Sequence, residues 1–372
     1  MTDERNLQQE SNVFPLEKIY FYLTEGCNLA CRHCWLNPKQ QTQSKQYPTL
    51  DFDLFKSIIS QAMLMGLKGV KLTGGEPLMH PRIIDILHFI RDNSIPLEME
   101  TNCALCTDEI AKEISTSIRP FVAVSLDGAN AETHEWVRGI KGCFDDAVNG
   151  IKRLVNAGVK PQIIMSILHY NKNQVEYLIK LAESLGARSL KFNIVQPTGR
   201  GKSLTSSFET LSIEEHLNMA DWIKNKLAPN TKIKLLYHLP PAFLPLSRIF
   251  DSGKARGLIL CEVLKIIGVL ANGSYAMCGI GSQVPELVFG DANTSSLEDI
   301  WAQNSILNEL REGIPRRIKG ICSKCIFKKR CFGLCMAQNY YSNNELWGSH
   351  WFCEEAYKEG RFPSTRYYEK PL

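Results

Sequence analysis

The chain has 372 residues, which suits two domains of ordinary size or one large barrel with an appendage. Hydrophobic residues make up 44% and charged residues 22%, and the formal net charge is +4, so the composition excludes a disordered chain and gives no sign of a nucleic-acid partner. The longest apolar stretch, near 258–270, is broken by Glu262 and Lys265, and the N-terminus is polar and acidic. We therefore expect no transmembrane helix, no signal peptide, no membrane partner and a cytoplasmic location.

Six predicted strands alternate with helices in the first half of the chain. The strands are expected at 18–23, 68–72, 96–101, 121–126, 162–168 and 189–195. Helical spacing of apolar residues predicts helices that begin at Asp51 and Pro81 or cover 107–116, 144–157 and 173–185. This alternation indicates parallel βαβ units, and hence an α/β fold built as a partial (β/α)6 barrel of the TIM type. In such a barrel the active site lies at the carboxyl ends of the strands.

The pattern changes after Pro197. A capping box between Ser212 and Glu215 predicts one more helix, and a Pro-rich connection follows it. From about residue 256, short elements and cysteines dominate. We therefore expect four segments: an N-terminal tail (1–17), the barrel (18–205), a bridging helix with a Pro-rich linker (206–255) and a cysteine-rich domain (256–372).

The chain contains thirteen cysteines, too many to be spare core residues. In a reducing compartment they should not form disulfides, which leaves metal binding or catalysis. Three lie near the start of the chain and seven in its last third: Cys27, Cys31 and Cys34, then Cys261, Cys278, Cys322, Cys325, Cys331, Cys335 and Cys353. The scattered residues Cys103, Cys106 and Cys143 are expected to be structural, because free cysteine is among the most often buried residue types.

The first three cysteines lie on a loop after the first strand and offer three thiolates to one metal centre. A structural zinc site needs four ligands, and no fourth Cys or suitably spaced His completes this one. A [4Fe–4S] cluster held by three cysteines leaves one iron open. The motif resembles that of the radical S-adenosylmethionine (SAM) superfamily. This resemblance implies that SAM binds the open iron and is cleaved reductively to a 5′-deoxyadenosyl radical; three unrelated thiols or a zinc loop is the alternative.

Other segments resemble the same family at the ends of predicted strands. Gly74-Gly75-Glu76-Pro77 follows the second strand, and in relatives the backbone of this turn binds the methionine amino group, an approach that glycine permits. Thr101-Asn102 ends the third strand, with Cys103 where relatives often carry Gly.

A further stretch resembles the family after the fourth strand. It contains Ser125, Asp127 and Arg138, and the Ser and the Arg help to hold SAM in relatives; a salt bridge at a helix end is the alternative for Arg138. Val195, with Ile194, would line the adenine or belong to the core. We expect His33 among the cofactor-binding residues. It lies between two of the cysteines and could not easily turn to bind the same metal.

The C-terminal cysteines resemble the SPASM extension of radical SAM enzymes, whose members carry two auxiliary [4Fe–4S] clusters. The resemblance implies that the outer cluster is held by Cys322, Cys325, Cys331 and Cys353, and the inner one by Cys261, Cys278 and Cys335. The inner cluster then has an open iron for a substrate group such as a peptide thiolate, unless a non-cysteine side chain or a scattered cysteine fills the place. A pair of zinc ribbons is the alternative, although seven thiols do not make two closed four-thiolate sites.

Most SPASM enzymes modify ribosomally made peptides or proteins such as sulfatases. The resemblance implies an oxidoreductase that crosslinks or oxidises side chains of a precursor peptide and takes electrons from a donor such as flavodoxin or ferredoxin; the general base is not identified. Only 17 residues precede the first strand, so we expect a separate leader-peptide recognition protein or direct binding of the core peptide.

Three alternatives remain for the function. A sulfatase-type maturase is disfavoured by Gly279, because those enzymes carry an Asp directly after the equivalent of Cys278. A tetrapyrrole-modifying radical SAM enzyme is the second alternative, and a zinc-binding scaffold without chemistry is the third.

Seven basic residues lie close together near the C-terminal cysteines: Arg316, Arg317, Lys319, Lys324, Lys328, Lys329 and Arg330. We favour a solvated surface that balances anionic clusters over a docking patch for an acidic peptide or a redox donor.

Overall fold

One sheet of ten strands runs through both halves of the chain. The structure is a computed structural model and describes residues 14–40, 42, 45–246 and 263–369. In chain order the strands are β1 Lys18–Tyr22, β2 Gly26–Cys27, β3 Lys39–Gln40, β4 Gly69–Thr73, β5 Pro96–Thr101, β6 Ile118–Ser125, β7 Gln162–Ile167, β8 Ser189–Ile194, β9 Lys234–Tyr237, β10 Ile266–Val269, β11 Ser274–Ala276 and β12 Val288–Asp291. The sheet has the order β12-β11-β10-β1-β4-β5-β6-β7-β8-β9, and β2 pairs separately with β3.

The helices lie between and after these strands. They are α1 Phe52–Leu64, α2 Ile83–Asp92, α3 Asp108–Thr116, α4 Ala131–Arg138, α5 Cys143–Asn156, α6 Val175–Ser184, α7 Gly201–Ser206, α8 Ile213–Trp222, α9 Leu297–Gln303, α10 Ser305–Gly313, α11 Gly320–Lys324, α12 Lys328–Cys331, α13 Met336–Asn343 and α14 Trp351–Lys358. The prediction of alternating strands and helices in an α/β barrel-type fold is confirmed. The predicted capping box is present at α8, where Ser212 Oγ accepts from Glu215 N.

The strands from β10 to β9 are parallel throughout, and their two faces differ in chemistry. Ile19 and Phe21 of β1 are fully buried on the helix side, where the Phe21 ring lies 4.6 Å from that of Phe55 in α1. Alternate residues carry charge on the other face, as when Lys18 Nζ lies 2.6 Å from Glu98 Oε1. The helix layer therefore supplies the apolar core, and the opposite face is left polar.

Four strands outside the six predicted ones, β9 to β12, extend this sheet. β9 lies within the segment predicted as a bridging helix and linker, and it pairs in parallel with β8. β10 belongs to the cysteine-rich region and pairs in parallel with β1, with Lys18 opposite Ile266. The C-terminal region is thus joined to the barrel by backbone hydrogen bonds, in addition to side-chain packing.

Candidate active site

A cavity of about 230 Å³ opens at the carboxyl ends of β4 to β8. Eleven of the residues singled out in the sequence line it: Cys27, Cys31, His33, Cys34, Gly74, Gly75, Glu76, Thr101, Asn102, Ser125 and Arg138. Pro77, Asp127 and Val195 do not line it, and neither does any residue of the C-terminal domain among those described. The site therefore lies where the barrel architecture places it.

The cysteine loop is fixed to the barrel by its backbone. Ala30 N donates to Arg138 O at 3.0 Å and Arg32 N donates to Val137 O at 2.9 Å, which ties the loop to the end of α4. Burial raises the pKa of the Cys27 thiol well above its usual value, and nearby Glu76 raises it further. Burial likewise raises the pKa of Cys31. Such thiols become thiolates when a metal centre binds them.

The Gly74-Gly75 turn packs against the start of the cysteine loop with no space for a side chain. A Cβ on Gly75 would lie 1.9 Å from Gly26 O, and Gly74 has a φ of +127°. Gly75 N donates to Thr24 O at 2.9 Å. The turn thus forms a backbone-lined wall beside the three cysteines.

Glu76 is a positioning residue of this wall. Its Oε1 accepts from Thr101 Oγ1 at 2.6 Å and from Leu78 N at 3.1 Å, and its Oε2 accepts from Asn102 N at 2.8 Å. Burial raises the pKa of Glu76 to about 7, while these three donors favour the ionised carboxylate. The carboxylate therefore ties the end of β4 to the end of β5, and Pro77 only begins the short 3-10 turn that follows.

Arg138 is held by a carboxylate beneath the cavity. Its Nε lies 2.6 Å from Asp127 Oδ2 and its Nη1 lies 3.4 Å from Cys31 Sγ. Burial raises the pKa of Asp127, but the Arg138 guanidinium, with smaller contributions from other groups such as Ser166 N, lowers it overall. Asp127 Oδ1 also accepts from Ser166 N at 2.7 Å. Asp127 therefore orients Arg138 from below, and Arg138 is a buried partner of the cysteine loop, although it does end a helix.

His33 faces the same carboxylate at longer range. Its Nε2 lies 3.9 Å from Asp127 Oδ2, and burial lowers the pKa of His33 to about 4, so the ring is neutral near pH 7. Val195 packs with Val137, Leu168 and Leu204 in a separate apolar cluster.

Five polar residues of the cavity were not identified from the sequence: Thr73, Glu100, Ser166, Asn193 and Arg200. Arg200 N donates to Cys34 O at 3.0 Å, and a Cβ on Gly199 would lie 2.5 Å from Trp35 O, so this turn packs directly on the cysteine loop. Arg200 Nε and Nη2 and Asn193 Oδ1 are buried and have no hydrogen-bond partner among the described residues. The Gly199-Arg200 pair, four residues after the sixth predicted strand, is the signal that could have revealed Arg200.

The scattered cysteines are all buried. Cys103 has a φ of +63°, at the position where relatives often carry Gly, and its thiol hydrogen-bonds with that of Cys106. Cys143 packs in one cluster with Cys27 and Cys31 but does not line the cavity.

The C-terminal cysteines of the described residues lie in two different apolar environments. Cys322, Cys325 and Cys353 are buried in an apolar cluster against which Cys331 packs. Cys278 and Cys335 pack instead against the main core, and the pKa of Cys278 is raised to about 12 by burial and by nearby Cys335. The predicted ligand Cys261 lies outside the described residues.

Gly279, directly after Cys278, has no space for a side chain. A Cβ there would lie 2.3 Å from Tyr22 Cε1 and 2.5 Å from Leu36 Cδ2. An acidic residue, as in sulfatase-type enzymes, would displace Tyr22, whose ring fills this position.

The residues present fit an iron–sulfur cluster and an amino-acid ligand in the cavity. Three thiols share it, a glycine turn leaves backbone exposed to it, and a guanidinium edge in it lacks an anion. Among the described residues, no three His, Cys, Asp or Glu side chains are grouped closely enough to hold a single metal ion. The fit of an iron–sulfur cluster to this site therefore depends on the cavity that the three thiols share and on the chemistry of thiol ligands.

Sequence comparison decides the family. The family model of the radical SAM superfamily matches residues 21–182, and that of the SPASM iron–sulfur cluster-binding domain matches residues 261–326. The chain belongs to the radical SAM superfamily. It is a radical SAM enzyme with a SPASM domain, and these two domains imply iron–sulfur clusters and SAM as its cofactors.

Individual relatives cover most of this radical SAM enzyme. The AdoMet-dependent heme synthase of Methanosarcina barkeri is 27% identical over 92% of the chain and 97% of that protein. The mycofactocin maturase MftC of Mycolicibacterium smegmatis is also 27% identical, over 94% of the chain and 85% of that protein. The crystal structure of Streptococcus suis SuiB bound to precursor peptide SuiA shares the fold, with a TM-score of 0.72 at 15% identity over 92% of this chain and 76% of that one.

No helix in the described parts of the chain combines the length and the hydropathy needed to cross a membrane.

Proposed function

We propose that this radical SAM enzyme oxidatively modifies side chains of a ribosomally made precursor peptide. The observation that supports this proposal most directly is the joining of a three-cysteine cavity to a second cysteine-rich region through one sheet. MftC and SuiB, a maturase and a protein crystallised with a precursor peptide, are similar over more than nine-tenths of the chain.

Three clusters would serve this chemistry. Cys27, Cys31 and Cys34 would hold the SAM-binding cluster. The outer auxiliary cluster would use Cys322, Cys325, Cys331 and Cys353, and the inner one Cys261, Cys278 and Cys335, with a vacant iron. When bound, the first cluster and SAM supply a 5′-deoxyadenosyl radical that abstracts a hydrogen atom from the peptide.

The residues of the cavity would bind and orient SAM. The Gly74-Gly75 backbone would accept the amino group of its methionine part, and Ser125 and Arg138 would contact its carboxylate. Arg200 offers a second guanidinium, because Nη1 is directed at Pro38 O while the Nε–Nη2 edge is open. That edge has the geometry that binds a carboxylate through two parallel hydrogen bonds.

Glu100 is the proton acceptor that the cavity supports best. The other lining carboxylate, Glu76, is committed to three donors, whereas 45% of the Glu100 side chain is exposed. Lys71 Nζ lies 2.5 Å from Glu100 Oε1. Partial burial raises the pKa of Glu100, but Lys71 together with Lys191 and Thr73 lowers it overall, so the carboxylate stays ionised. A two-electron oxidation releases one proton and one electron besides the abstracted hydrogen atom. Glu100 would accept the proton, and an auxiliary cluster would accept the electron.

The proposal is tested with anaerobically reconstituted protein, dithionite and SAM. We expect about twelve irons per chain, three clusters of four, and formation of 5′-deoxyadenosine and methionine. Candidate precursor peptides encoded beside the gene should then lose the mass of two hydrogen atoms per modification. An E100Q variant should produce more 5′-deoxyadenosine per modified peptide than the wild type, because proton removal would limit the productive route. Zinc in place of iron, or absence of SAM cleavage, contradicts the proposal.

A tetrapyrrole substrate is the second candidate. The heme synthase of M. barkeri is as similar as MftC and is matched over 97% of its length. Anaerobic incubation with SAM and a carboxylated tetrapyrrole distinguishes the two: loss of carbon dioxide from the macrocycle favours this candidate, and an unchanged macrocycle beside a modified peptide favours the first.

A peptide-modifying reaction needs further partners. We propose an electron donor such as flavodoxin or ferredoxin and, for substrate capture, a separate leader-peptide recognition protein. Tight binding of a precursor peptide by the purified enzyme alone would remove the need for the second partner.

A further inference from the structure

The stretch of chain around the outer cysteines contains several basic residues and no acidic ones. Residues 314–344 contain seven Lys or Arg and no Asp or Glu, although the whole chain carries a net charge of only +4. The same stretch contains four of the seven C-terminal cysteines. Positive charge is thus concentrated on the part of the chain that would hold a redox centre.

Only part of this charge is neutralised by nearby carboxylates. Arg317 Nη1 lies 2.9 Å from Glu309 Oε1 and Lys319 Nζ lies 2.6 Å from Glu345 Oε2. For Lys324, Lys328 and Lys329, no carboxylate of the described residues lies within ion-pair distance. These three lysines keep their charge available to a partner.

A second segment adds a further cation at the same place. Ile326 N donates to Arg366 O at 3.0 Å, and Tyr368 N donates to Lys324 O at 3.1 Å, so the C-terminal segment runs alongside the cysteine loop. Arg366 lies close enough to Cys325 to favour its thiolate electrostatically. We call Lys324, Lys328, Lys329 and Arg366 the basic collar.

The collar surrounds the most accessible of the outer cysteines. Lys324 directly precedes Cys325, and Lys328 and Lys329 lie on α12, which ends at Cys331. Cys331 is half-buried, whereas Cys322, Cys325 and Cys353 are buried. A partner that binds the collar would therefore contact the segments that carry Cys325 and Cys331.

We propose that the basic collar is the docking surface for a small acidic one-electron carrier protein. The inference rests on the proposed function, because reductive SAM cleavage consumes electrons from outside the chain. An acidic carrier matches the unneutralised lysines, and complementary charge accelerates encounter. In the transfer the carrier is oxidised by one electron, the iron–sulfur centre beneath the collar is reduced by one, and no bond forms or breaks.

The test compares three holoenzymes: the wild type, the collar variant K324E/K328E/K329E, and a control variant K112E/K152E/K160E. Lys112, Lys152 and Lys160 are exposed on or beside α3 and α5 of the barrel, so both triple variants change the net charge equally. The probe is a bacterial flavodoxin of strongly acidic net charge. Its affinity is measured by anaerobic titration, and the rate of cluster reduction by its hydroquinone is followed by absorbance. Reduction by photoreduced 5-deazaflavin serves as the carrier-independent reference.

We expect the wild type to lose flavodoxin affinity as NaCl rises from about 50 mM to about 300 mM, because the Debye length shortens. The collar variant should bind about tenfold more weakly at low salt and show little salt dependence, and the control should behave as the wild type. The milder variant K324Q/K328Q/K329Q should show an intermediate effect. Because it removes the three charges without reversing them, it shows whether the loss of affinity in the collar variant comes from misfolding.

Equal affinity of the wild type and the collar variant, equal weakening in the control, or no binding of flavodoxin at low salt would overturn the docking proposal. If SAM is nevertheless cleaved with 5-deazaflavin as reductant, the proposed function stands without the docking proposal. If SAM is not cleaved even then, the proposed function itself fails.

Discussion

The two cysteine-rich regions of this enzyme surround their thiols in opposite ways. At the barrel mouth, Cys27, Cys31 and Cys34 share a cavity with Glu76, Arg138 and other polar residues. In the C-terminal domain, the outer cysteines are enclosed by apolar side chains such as Phe327 and Phe352. The polar cavity at the barrel mouth leaves space and directional hydrogen-bonding groups for a ligand. The apolar shell in the C-terminal domain excludes a ligand and suits a centre that only passes electrons.

The comparison predicts that the barrel set is indispensable for SAM chemistry. We expect C31A to lower SAM cleavage at least about a thousandfold, because two cysteines no longer hold a cluster with one open iron. The matched control is C106A, which removes a buried thiol that does not line the cavity and should stay within a few-fold of the wild type. 5′-Deoxyadenosine is quantified under dithionite, and comparable losses in both variants would contradict the assignment.

For the C-terminal set, the comparison predicts dependence on apolar packing. Phe352 is fully buried and its ring lies 5.3 Å from that of Phe243, so F352A should lower the free energy of unfolding by about 3 kcal/mol. Anaerobic urea unfolding measures this loss, and the variant should also retain less iron. F208A is the control, because 84% of Phe208 is exposed. A stable F352A protein with full iron content would show that the apolar shell is dispensable.

Arg200 tests whether the cavity is built for a carboxylate. R200Q should weaken SAM binding about tenfold, since a charge-assisted pair of hydrogen bonds is lost. K202Q is the matched control, because it removes the same charge from an exposed position two residues away. Decarboxylated SAM should bind R200Q and the wild type with similar affinity. An equal loss for both ligands would instead indicate a structural role of Arg200 at the cysteine loop.

The smallest expected effect concerns the contact between α8 and the C-terminal domain. His216 of α8 is buried against Phe352, its Nδ1 lies 2.7 Å from the Tyr237 hydroxyl, and Glu215 and His169 are the nearest charged groups. Burial lowers the pKa of His216 to about 4 from 6.5. The unfolded chain therefore binds more protons between these values, and stability falls as the pH is lowered through that window.

From pH 7 to about pH 5.5, His216 should account for about 1 kcal/mol of lost stability. H216Q should remove this part of the pH dependence, measured by urea unfolding at the two pH values. H88Q, at a side chain that is 42% exposed, is the control. An unchanged slope in H216Q would mean that the ring is solvated at this interface.

The sequence was sufficient to predict elements whose apolar residues recur regularly over many positions. It was also sufficient to predict motifs whose residues are adjacent in the chain. All six predicted strands form, and the turn at Gly74-Gly75 meets the cysteine loop as expected. The short strand β9 was missed because four residues next to a Pro-rich stretch carry little periodic signal. Its pairing with β8 is a tertiary effect that local propensity does not encode.

Residues that act only through tertiary contacts were also missed. Glu100 and Arg200 are a hundred residues apart and share one cavity only because β5 and β8 end at the same edge of the sheet. Val195 was expected to line the adenine or to belong to the core. In the structure β8 ends at Ile194, and Val195 packs in an apolar cluster.

The parallel pairing of β1 with β10 has a consequence for biosynthesis. Residue 18 meets residue 266, so the first strand has an unpaired edge until some 250 residues more have been translated. During that time β1 is paired on one side only, with β4. Pairing of β10 with β1 comes before synthesis of Cys322 and the cysteines that follow it, which makes the chain that already carries β10, rather than the emerging barrel, the state ready to receive its iron–sulfur clusters.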